Sequence, residues 1–246
     1  AVVSVVGEIT SDSLASAQAI NSGLRDAFAS PDAQAVVLHI NSPGGSPVQA
    51  GMVFDEILRL REQHDKPIYA VCEEMCASAA YYMAAAADQI YVNQASLVGS
   101  VGVLMEGFGF TGLMDKLGVE RRLMTAGQNK GGLDPFSPQT QAQRAHVQSM
   151  LDEVHSQFIQ AVKTGRGDRL KDDPDVFSGQ VWTGARARAL GLADELGTVE
   201  SVARDVVGQD VLVDYSPHES VAERLANRLG AQVRHALGTQ SLWQWR

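Results

Sequence analysis

Residues 71–88, VCEEMCASAAYYMAAAAD, constrain the fold of this chain more than any other stretch. A short apolar strand signal precedes Ser78, and the alanine-rich run after it strongly favours a helix. Ser78 is therefore predicted at a turn from strand to helix, where the first backbone N–H groups of the helix have no partners inside it. Such a turn can present a hydroxyl as a nucleophile and offer amides to an oxyanion. The alternative is that Ser78 is an ordinary N-cap and only starts the helix.

The same order of strand, turn and helix recurs along the chain, which predicts the α/β class. The pattern predicts strands at residues 2–9, 35–40, 67–72 and 89–92, extended chain at 96–104, and allows a further strand at 119–124. It predicts helices at 13–28, 48–64, 183–190 and 198–207, and a long helix that starts with Ser137 as N-cap and ends near residue 165. Residues 125–137, rich in Gly, Asn and Pro, are predicted to form a loop.

Composition excludes several functions. The 246 residues are 45% hydrophobic, which is enough for one large domain with a core of its own. The net charge is −9 and no basic cluster stands out, so a nucleic-acid partner is not expected. Cys72 and Cys76 fit neither a disulfide framework nor a zinc site, and we interpret them as buried structural thiols. We expect no metal and no cofactor.

No run of 18–20 uncharged apolar residues predicts a membrane span. The chain begins at Ala1 and enters a strand at once. We interpret this start as that of a truncated or processed chain, whose membrane anchor or targeting segment would precede Ala1.

A second motif with chemical potential is NSPGGS at residues 41–46, directly after the predicted strand at 35–40. Two consecutive glycines permit positive φ and a close approach of the backbone, so amides in this turn can face a ligand. A plain Pro-Gly turn is the alternative. The motif is not a nucleotide-binding P-loop, because the Gly-Lys-Ser/Thr ending is absent.

A serine nucleophile needs a base. None of the six histidines lies between residues 65 and 145, and we interpret all six as ordinary surface or core residues. Lys130 differs from the other four lysines because it stands alone in a glycine-rich loop, AGQNKGG. A lysine acts as a base only when neutral, and burial can lower its pKa of about 10.4 by roughly 3–5 units. The alternative is a solvated loop lysine.

Five blocks of sequence, taken together, resemble the signal peptide peptidase A family. They are NSPGGS, CASAAYYMAAAAD, ASLVGSVGVLM, TAGQNKG and FSGQVWTGARARALGLADELG, and they occur in the family's order over residues 1–207. The family consists of Ser–Lys serine peptidases related to the Clp protease and crotonase folds. The resemblance implies a ClpP/crotonase-like spiral of β-β-α units, in a single domain over residues 1–207 with a C-terminal helical extension over 208–246.

The resemblance also implies site residues. Ser78 matches the nucleophile and Lys130 the general base, while Ser100 matches the serine that orients the lysine amine. Gly45 matches the glycine whose backbone N–H contributes to the oxyanion hole. Ala79, which follows the nucleophile, would supply the second N–H.

One departure from the family's pattern follows the nucleophile directly. The family usually has Ser-Gly-Gly, whereas this chain has Ser78-Ala79-Ala80. Alanine still supplies the amide, but it adds a methyl group and restricts φ. The shape of the substrate pocket and the level of activity are the properties this departure puts in doubt.

The function implied is a serine endopeptidase that hydrolyses signal peptides and other membrane-derived hydrophobic peptides through an acyl-enzyme. The family also implies a homo-oligomer, anchored in the bacterial inner membrane by a segment before Ala1. Two alternatives stay open. One is a membrane-linked Ser–Lys protease for a specific membrane-protein partner, like the stomatin-associated proteases, and the other is a non-catalytic scaffold that binds hydrophobic peptides.

The tail at residues 220–237 has an amphipathic helical pattern, with apolar residues at Val221, Leu225, Leu229, Val233 and Leu237 and arginines at 224, 228 and 234. Packing against a neighbouring subunit is the simplest interpretation. A membrane surface or a neighbour's active site are the alternatives.

Overall fold

The computed structural model describes residues 1–218 and 243–245. The strands are β1 (Val2–Val6), β2 (Val36–Ser42), β3 (Ile68–Ala77), β4 (Gln89–Val92), β5 (Leu97–Gly99), β6 (Met105–Gly107), β7 (Val181–Thr183), β8 (Glu195–Leu196) and β9 (Trp243–Trp245). The helices are α1 (Ala17–Ala29), α2 (Pro47–Gln63), α3 (Ala79–Ala84), α4 (Thr111–Leu117), α5 (Gln141–Arg166), α6 (Gly184–Ala189) and α7 (Val199–Ser201). A 3-10 turn follows α5 at Gly167–Arg169, and a π-helical turn follows α7 at Val202–Val207.

One sheet organises the domain. Its strands run in the order β1-β2-β3-β4-β8, and all of these neighbours are parallel. The two halves of β3 pair with different strands: Tyr69–Cys72 pair with β4, and Met75–Ala77 pair with β5. Strand β5 in turn pairs antiparallel with β7. The predicted α/β class in a single domain is confirmed.

The helices α1 and α2 begin at serine caps. The Ser16 hydroxyl accepts a hydrogen bond from the Ala19 amide, and the Ser46 hydroxyl accepts one from the Gln49 amide. Pro47 occupies the first turn of α2, where its missing N–H costs nothing. Helix α2 therefore begins directly at the end of the glycine turn at residues 41–46.

Helix α3 is buried almost completely and packs against α5. A Cβ at Gly165 would overlap the carbonyl oxygen of Ala85, so the two backbones approach more closely than a side chain would permit. The Tyr82 ring stacks on Phe158 with ring centroids 4.9 Å apart. On its other side the Tyr81 hydroxyl donates to the Leu192 carbonyl over 2.8 Å. The element that follows Ser78 is thus held by two distant parts of the chain.

A buried ion pair links α5 to the turn before β8. The Arg166 side chain is fully buried, and its guanidinium binds both carboxylate oxygens of Asp194 over 2.8 Å each. It also donates to the Gly191 carbonyl over 2.8 Å. Asp194 accepts a further hydrogen bond of 2.7 Å from the Ile90 amide. The pair therefore joins the end of α5, the start of β4 and the turn before β8.

Several predicted elements differ from the structure. Strand β1 ends at Val6 instead of residue 9, and helix α1 begins at Ala17 instead of residue 13, because Ser16 caps it. Residues 119–124 form no strand, because they are exposed and no strand among the described residues pairs with them. Helix α5 begins after Thr140 instead of Ser137, since Thr140 and Gln143 form a reciprocal capping box. The helix predicted over 198–207 is one turn of α-helix followed by the π-helical turn.

The remaining expectations on organisation have mixed outcomes. Cys72 and Cys76 are buried and free, as predicted. No helix among the described residues is long and apolar enough to cross a membrane. After residue 207 the chain returns to the sheet edge, where Val2 exchanges 2.8 Å backbone hydrogen bonds with Val213 and Tyr215. The boundary at 207 stays a prediction, and the amphipathic tail at 220–237 lies outside the described residues.

Replacing one partner of the buried ion pair should destabilise the whole domain. Asp194→Asn leaves the Arg166 charge buried without a counter-charge, and we expect the free energy of unfolding to fall by about 3–5 kcal/mol. Asp205→Asn makes the same change in the exposed pair of Asp205 with Arg204 and should cost much less. Urea denaturation of both variants at pH 7 measures the difference.

The acid dependence of the same comparison has a predicted sign. Burial alone would raise the pKa of the Asp194 carboxyl, but hydrogen bonds from Arg166 and from the Ile90 amide outweigh it and lower this pKa. The stabilisation is therefore complete above the ordinary aspartate pKa of about 3.9 and is lost as the pH falls through the lower value of the folded state. The difference in the free energy of unfolding between wild type and Asp194→Asn should become smaller below about pH 4. A difference that stays constant down to pH 2 would contradict the lowered pKa of Asp194.

Candidate active site

Ser78 occupies the turn between β3 and α3, as predicted. Its backbone has φ 53° and ψ −126°, and its side chain forms no capping hydrogen bond. The Ser78 amide donates to the Gly99 carbonyl over 2.8 Å, and the Ser78 carbonyl accepts from the Tyr82 amide over 3.0 Å. The alternative that Ser78 caps the helix with its hydroxyl is therefore wrong, because the backbone is held while the hydroxyl is left unused.

Backbone strain marks a second serine beside it. Among the described residues, Ser78 and Ser100 are the two non-glycine residues with positive φ, at 53° and 52°. The Ser100 amide donates to the Gln180 carbonyl over 2.8 Å, which holds the turn after β5. Such conformations cost about 1–3 kcal/mol each and cluster at functional sites. Sequence reasoning missed this strain, because nothing in the residue types signals it.

The glycine turn packs directly on the serine turn. Gly44 and Gly45 have φ values of 102° and 148°. The Ile9 amide donates to the Gly44 carbonyl over 2.9 Å, and the Ile9 carbonyl accepts from the Ser46 amide over 2.8 Å. A Cβ on Gly44 would lie 2.8 Å from the Cβ of Ser78, so only glycine permits this contact.

Two amides remain available next to the Ser78 hydroxyl. Neither the Gly45 nor the Ala79 N–H donates a hydrogen bond to any described residue. Both residues and Ser78 line the same cavity of about 360 Å³. Unpaired amides beside a nucleophile are the arrangement that stabilises the oxyanion of acyl transfer.

Ser78 stands where two cavities adjoin. The first, of about 360 Å³, lies between α2, α3 and α5. The second, of about 390 Å³, is lined by Ser78, Gly45 and Ser100 together with Glu8 and the turn at Ser178. A chain bound across Ser78 would have room on both sides of the attacked bond.

Lys130 is the predicted site residue that the structure does not bring to Ser78. It is exposed, and its amide donates to the Gly127 carbonyl over 3.0 Å. It lines neither cavity, and among the described residues its amine has no hydrogen-bond partner. Ser78, Ser100, Gly45 and Ala79 therefore meet at one place, whereas the proposed base stays apart from them in this chain.

The histidines offer no substitute in the part of the chain that the structure describes. His39 lies between Ser4 and Glu73, with 3.3 Å to the Ser4 Oγ and 2.9 Å to the Glu73 carboxylate. His155 hydrogen-bonds the Val101 carbonyl over 3.0 Å. Neither contacts the Ser78 hydroxyl. No group of three or more potential metal ligands occurs among the described residues.

The walls of the first cavity were not predicted from the sequence. Tyr82 comes one helical turn after Ser78, and Gly51 and Asp55 come one and two turns after Pro47. Burial raises the pKa of the Tyr82 hydroxyl, and the Asp55 charge adds to this effect. The sequence does contain a signal for these residues. Residues four apart lie on the same face of a helix, so counting in fours from Ser78 and from Pro47 leads to Tyr82, Gly51 and Asp55.

A strained serine between strand and helix, with free amides on both sides, is typical of hydrolases that form acyl-enzymes. The comparison with protein families agrees with this class. The model of peptidase family S49 matches residues 60–210, which is more than half of the chain. The chain therefore belongs to peptidase family S49, and the resemblance to signal peptide peptidase A is confirmed.

Individual relatives carry different names. The chain is 44% identical over 188 residues to a Na(+)/H(+) antiporter NhaA of Brucella abortus, a match that covers 76% of this chain and 26% of that protein. It is 31% identical over 190 residues to "Putative protease MJ0651" of Methanocaldococcus jannaschii, covering 75% and 60%. It is 27% identical over 179 residues to "Putative signal peptide peptidase SppA" of Enterococcus faecium, covering 73% and 52%.

The chain thus spans from about a quarter to three-fifths of the length of these relatives. An alignment of 188 residues has to include much of residues 60–210. The matched quarter of the antiporter chain therefore resembles the peptidase region of this one.

A methyl group on Gly44 should displace Ser78. In Gly44→Ala the new Cβ would lie 2.7 Å from the Ala77 carbonyl oxygen and 3.0 Å from the Ala79 nitrogen. A shift of the serine turn by about 1 Å should lower kcat/KM for peptide hydrolysis roughly 100-fold. Gly7→Ala is the matched control, since Gly7 has φ 83° but a Cβ there would have no atom within 4 Å. If kcat/KM falls equally in both variants, the loss comes from the unfavourable φ of alanine and not from a collision with the Ser78 turn.

Proposed function

We propose that this chain is a serine endopeptidase in which Ser78 is the nucleophile. The observation that carries the proposal is the strained Ser78 turn, with its hydroxyl unused and the Gly45 and Ala79 amides free beside it. The Ser78 Oγ attacks the scissile carbonyl carbon while its proton passes to a base. The carbonyl oxygen becomes an oxyanion on the two amides, the amine leaves with the proton, and water hydrolyses the acyl-enzyme.

The base in this proposal is Lys130 in its neutral form. Two observations support it: the loop TAGQNKG resembles the corresponding block of the family, and Ser100 lines the cavity in which a lysine amine would reach Ser78. The proposal requires the loop to carry Lys130 into that cavity. There, burial would lower the pKa of the amine and favour the neutral form.

Assembly with further copies is the proposed means of placing that loop. Helix α4 has no buried residue, and the chain from Leu104 to Met124 exposes large apolar side chains. Phe108 is 73% exposed and Met124 is 95% exposed. Contiguous apolar exposure of this kind marks interaction surfaces. We propose that a second copy of this chain covers residues 104–124 and that the assembly brings a Lys130 amine to Ser78.

Signal peptides and other hydrophobic peptides are the proposed substrates, at the bacterial inner membrane. The name of the Enterococcus faecium relative and the largely apolar wall of the first cavity support this proposal. A protease dedicated to one membrane-protein partner would use the same chemistry. A scaffold without catalysis is disfavoured, because the strain at Ser78 and Ser100 costs stability without any benefit to binding.

A serine-reactive fluorophosphonate probe tests the nucleophile and the base. We expect the wild-type protein to be labelled at Ser78, and labelling to disappear in Ser78→Ala. Lys130→Ala should label at least 100-fold more slowly, because general-base catalysis contributes roughly 10²–10⁴-fold. Lys171→Ala, at an exposed lysine outside both cavities and outside residues 104–124, is the control. An unlabelled wild type that also cleaves no peptide would leave the scaffold as the function.

The surface at residues 104–124 has its own test. Met124→Glu should cost little in an isolated chain, since the side chain is almost fully exposed, but it should lower both the mass in solution and the peptidase activity. Val211→Glu, at a position 75% exposed outside this surface, should change neither. Mixing Ser78→Ala with Lys130→Ala then assigns the amine: restored activity places it on a neighbouring copy, and continued inactivity on the same chain. A Met124→Glu protein of unchanged mass would refute the proposed interface.

A further inference from the structure

The first cavity at Ser78 has one charged group in its wall. Its fourteen lining residues are glycine, alanine, apolar or neutral polar residues, with Asp55 as the exception. The near end is formed by Ser78, Gly45 and Ala79. From there the cavity follows α2, whose residues Pro47, Gly51 and Asp55 lie along one face at intervals of four, so that Asp55 stands roughly 12 Å along the helix from Pro47.

The two cavities at Ser78 have different roles in the proposed reaction. The leaving amine must receive its proton from the base. Ser100, the residue proposed to orient that base, lines the 390 Å³ cavity and not the 360 Å³ cavity. The leaving side of the substrate therefore belongs to the 390 Å³ cavity. The 360 Å³ cavity is left for the side chain of the residue whose carbonyl is attacked.

The shape of this cavity suits a long side chain. Gly51 leaves the wall open, since a Cβ there would have only the Tyr82 hydroxyl, 3.9 Å away, as a neighbour. The Tyr82 ring, stacked on Phe158, forms an apolar surface along the path. A straight aliphatic stem can pack on this surface while its polar end reaches the exposed carboxylate.

The Asp55 carboxylate is free to act on a ligand. Among the described residues it has neither an ion pair nor a hydrogen bond. Arg59, one turn further along α2, instead binds Glu56 over 2.7 Å. Arg25 of α1 binds Glu56 as well. Both arginines are thus engaged by Glu56, and the carboxylate of Asp55 has no ion-pair partner among the described residues at the far end of the cavity.

We infer that Asp55 is a specificity-determining residue, which makes this peptidase favour arginine or lysine on the acyl side of the cleaved bond. The inference rests on the proposed function and names its substrate class: apolar segments that carry a basic residue at the cleaved position. The stem packs on Tyr82 and the cationic end pairs with Asp55. Leucine, methionine and phenylalanine also fit the apolar part, but they gain nothing from the carboxylate.

Labelling rates at Ser78 test this preference without requiring turnover. Two peptidyl phosphonates are compared that differ only in having arginine or citrulline at the acyl position, because citrulline keeps the shape and loses the charge. We expect the wild type to react roughly 5- to 10-fold faster with the arginine probe, the range for a charged hydrogen bond that is partly solvated. The ratio should fall to about one in Asp55→Asn, and it should also fall in high salt.

Glu62→Gln is the matched control. It removes the same charge from the same helix, at an exposed position that does not line the cavity. Its ratio should equal that of the wild type. Equal rates for the two probes in the wild type, or an unchanged ratio in Asp55→Asn, would overturn the role of Asp55 while Ser78 labelling upholds the proposed function. Absence of labelling by every phosphonate would overturn both.

Discussion

The buried pair of Arg166 and Asp194 holds together two parts of the chain that pack on the helix after Ser78. Its two parallel hydrogen bonds join the end of α5 to the turn before β8, and Asp194 extends the connection to β4 through the Ile90 amide. Helix α3 contacts α5 through the stacked rings of Tyr82 and Phe158, and the Tyr81 hydroxyl donates to the Leu192 carbonyl, two residues before Asp194. Desolvation makes such a pair a poor source of net stability, but it tolerates only one geometry, because loss of either partner leaves a buried charge. The pair thus fixes the relative position of two segments that pack on α3, the helix that follows Ser78.

The site itself is built from backbone more than from side chains. Two turns, one after β2 and one after β3, meet so closely that Gly44 admits no methyl group. Their contact turns the Gly45 and Ala79 amides toward one cavity and holds Ser78 at a φ that serine rarely adopts. Small residues also permit close packing nearby, where α5 approaches the Ala85 carbonyl at Gly165. The rigid part of this site is therefore backbone, which is the kind of arrangement that can stabilise an oxyanion.

Substrate selection, in our proposals, falls to residues outside this backbone frame. The cavity for the acyl side is apolar along Tyr82 and charged at Asp55, and the base arrives from a loop next to the exposed apolar surface at residues 104–124. Each part has a different physical basis. The Tyr82 wall acts through contact area, Asp55 through a single charge, and the loop that carries the base through subunit assembly. A family can therefore keep the frame while it changes what is cleaved.

Local sequence was enough to predict the alternation of strands and helices, the glycine turn and a serine at the start of α3, because each depends on nearby residues and on hydrophobic period. Together with the resemblance, it also predicted four residues that meet in the fold. Only tertiary structure decided that Ser78 has a strained backbone and an unused hydroxyl, since Gly44 and Gly99, distant in sequence, impose that conformation. The same reason explains why residues 119–124 form no strand and why Thr140, with its partner Gln143, displaces Ser137 as the cap. It also explains the position of Lys130, which no local pattern could place: a loop without buried residues takes its position from contacts beyond its own sequence.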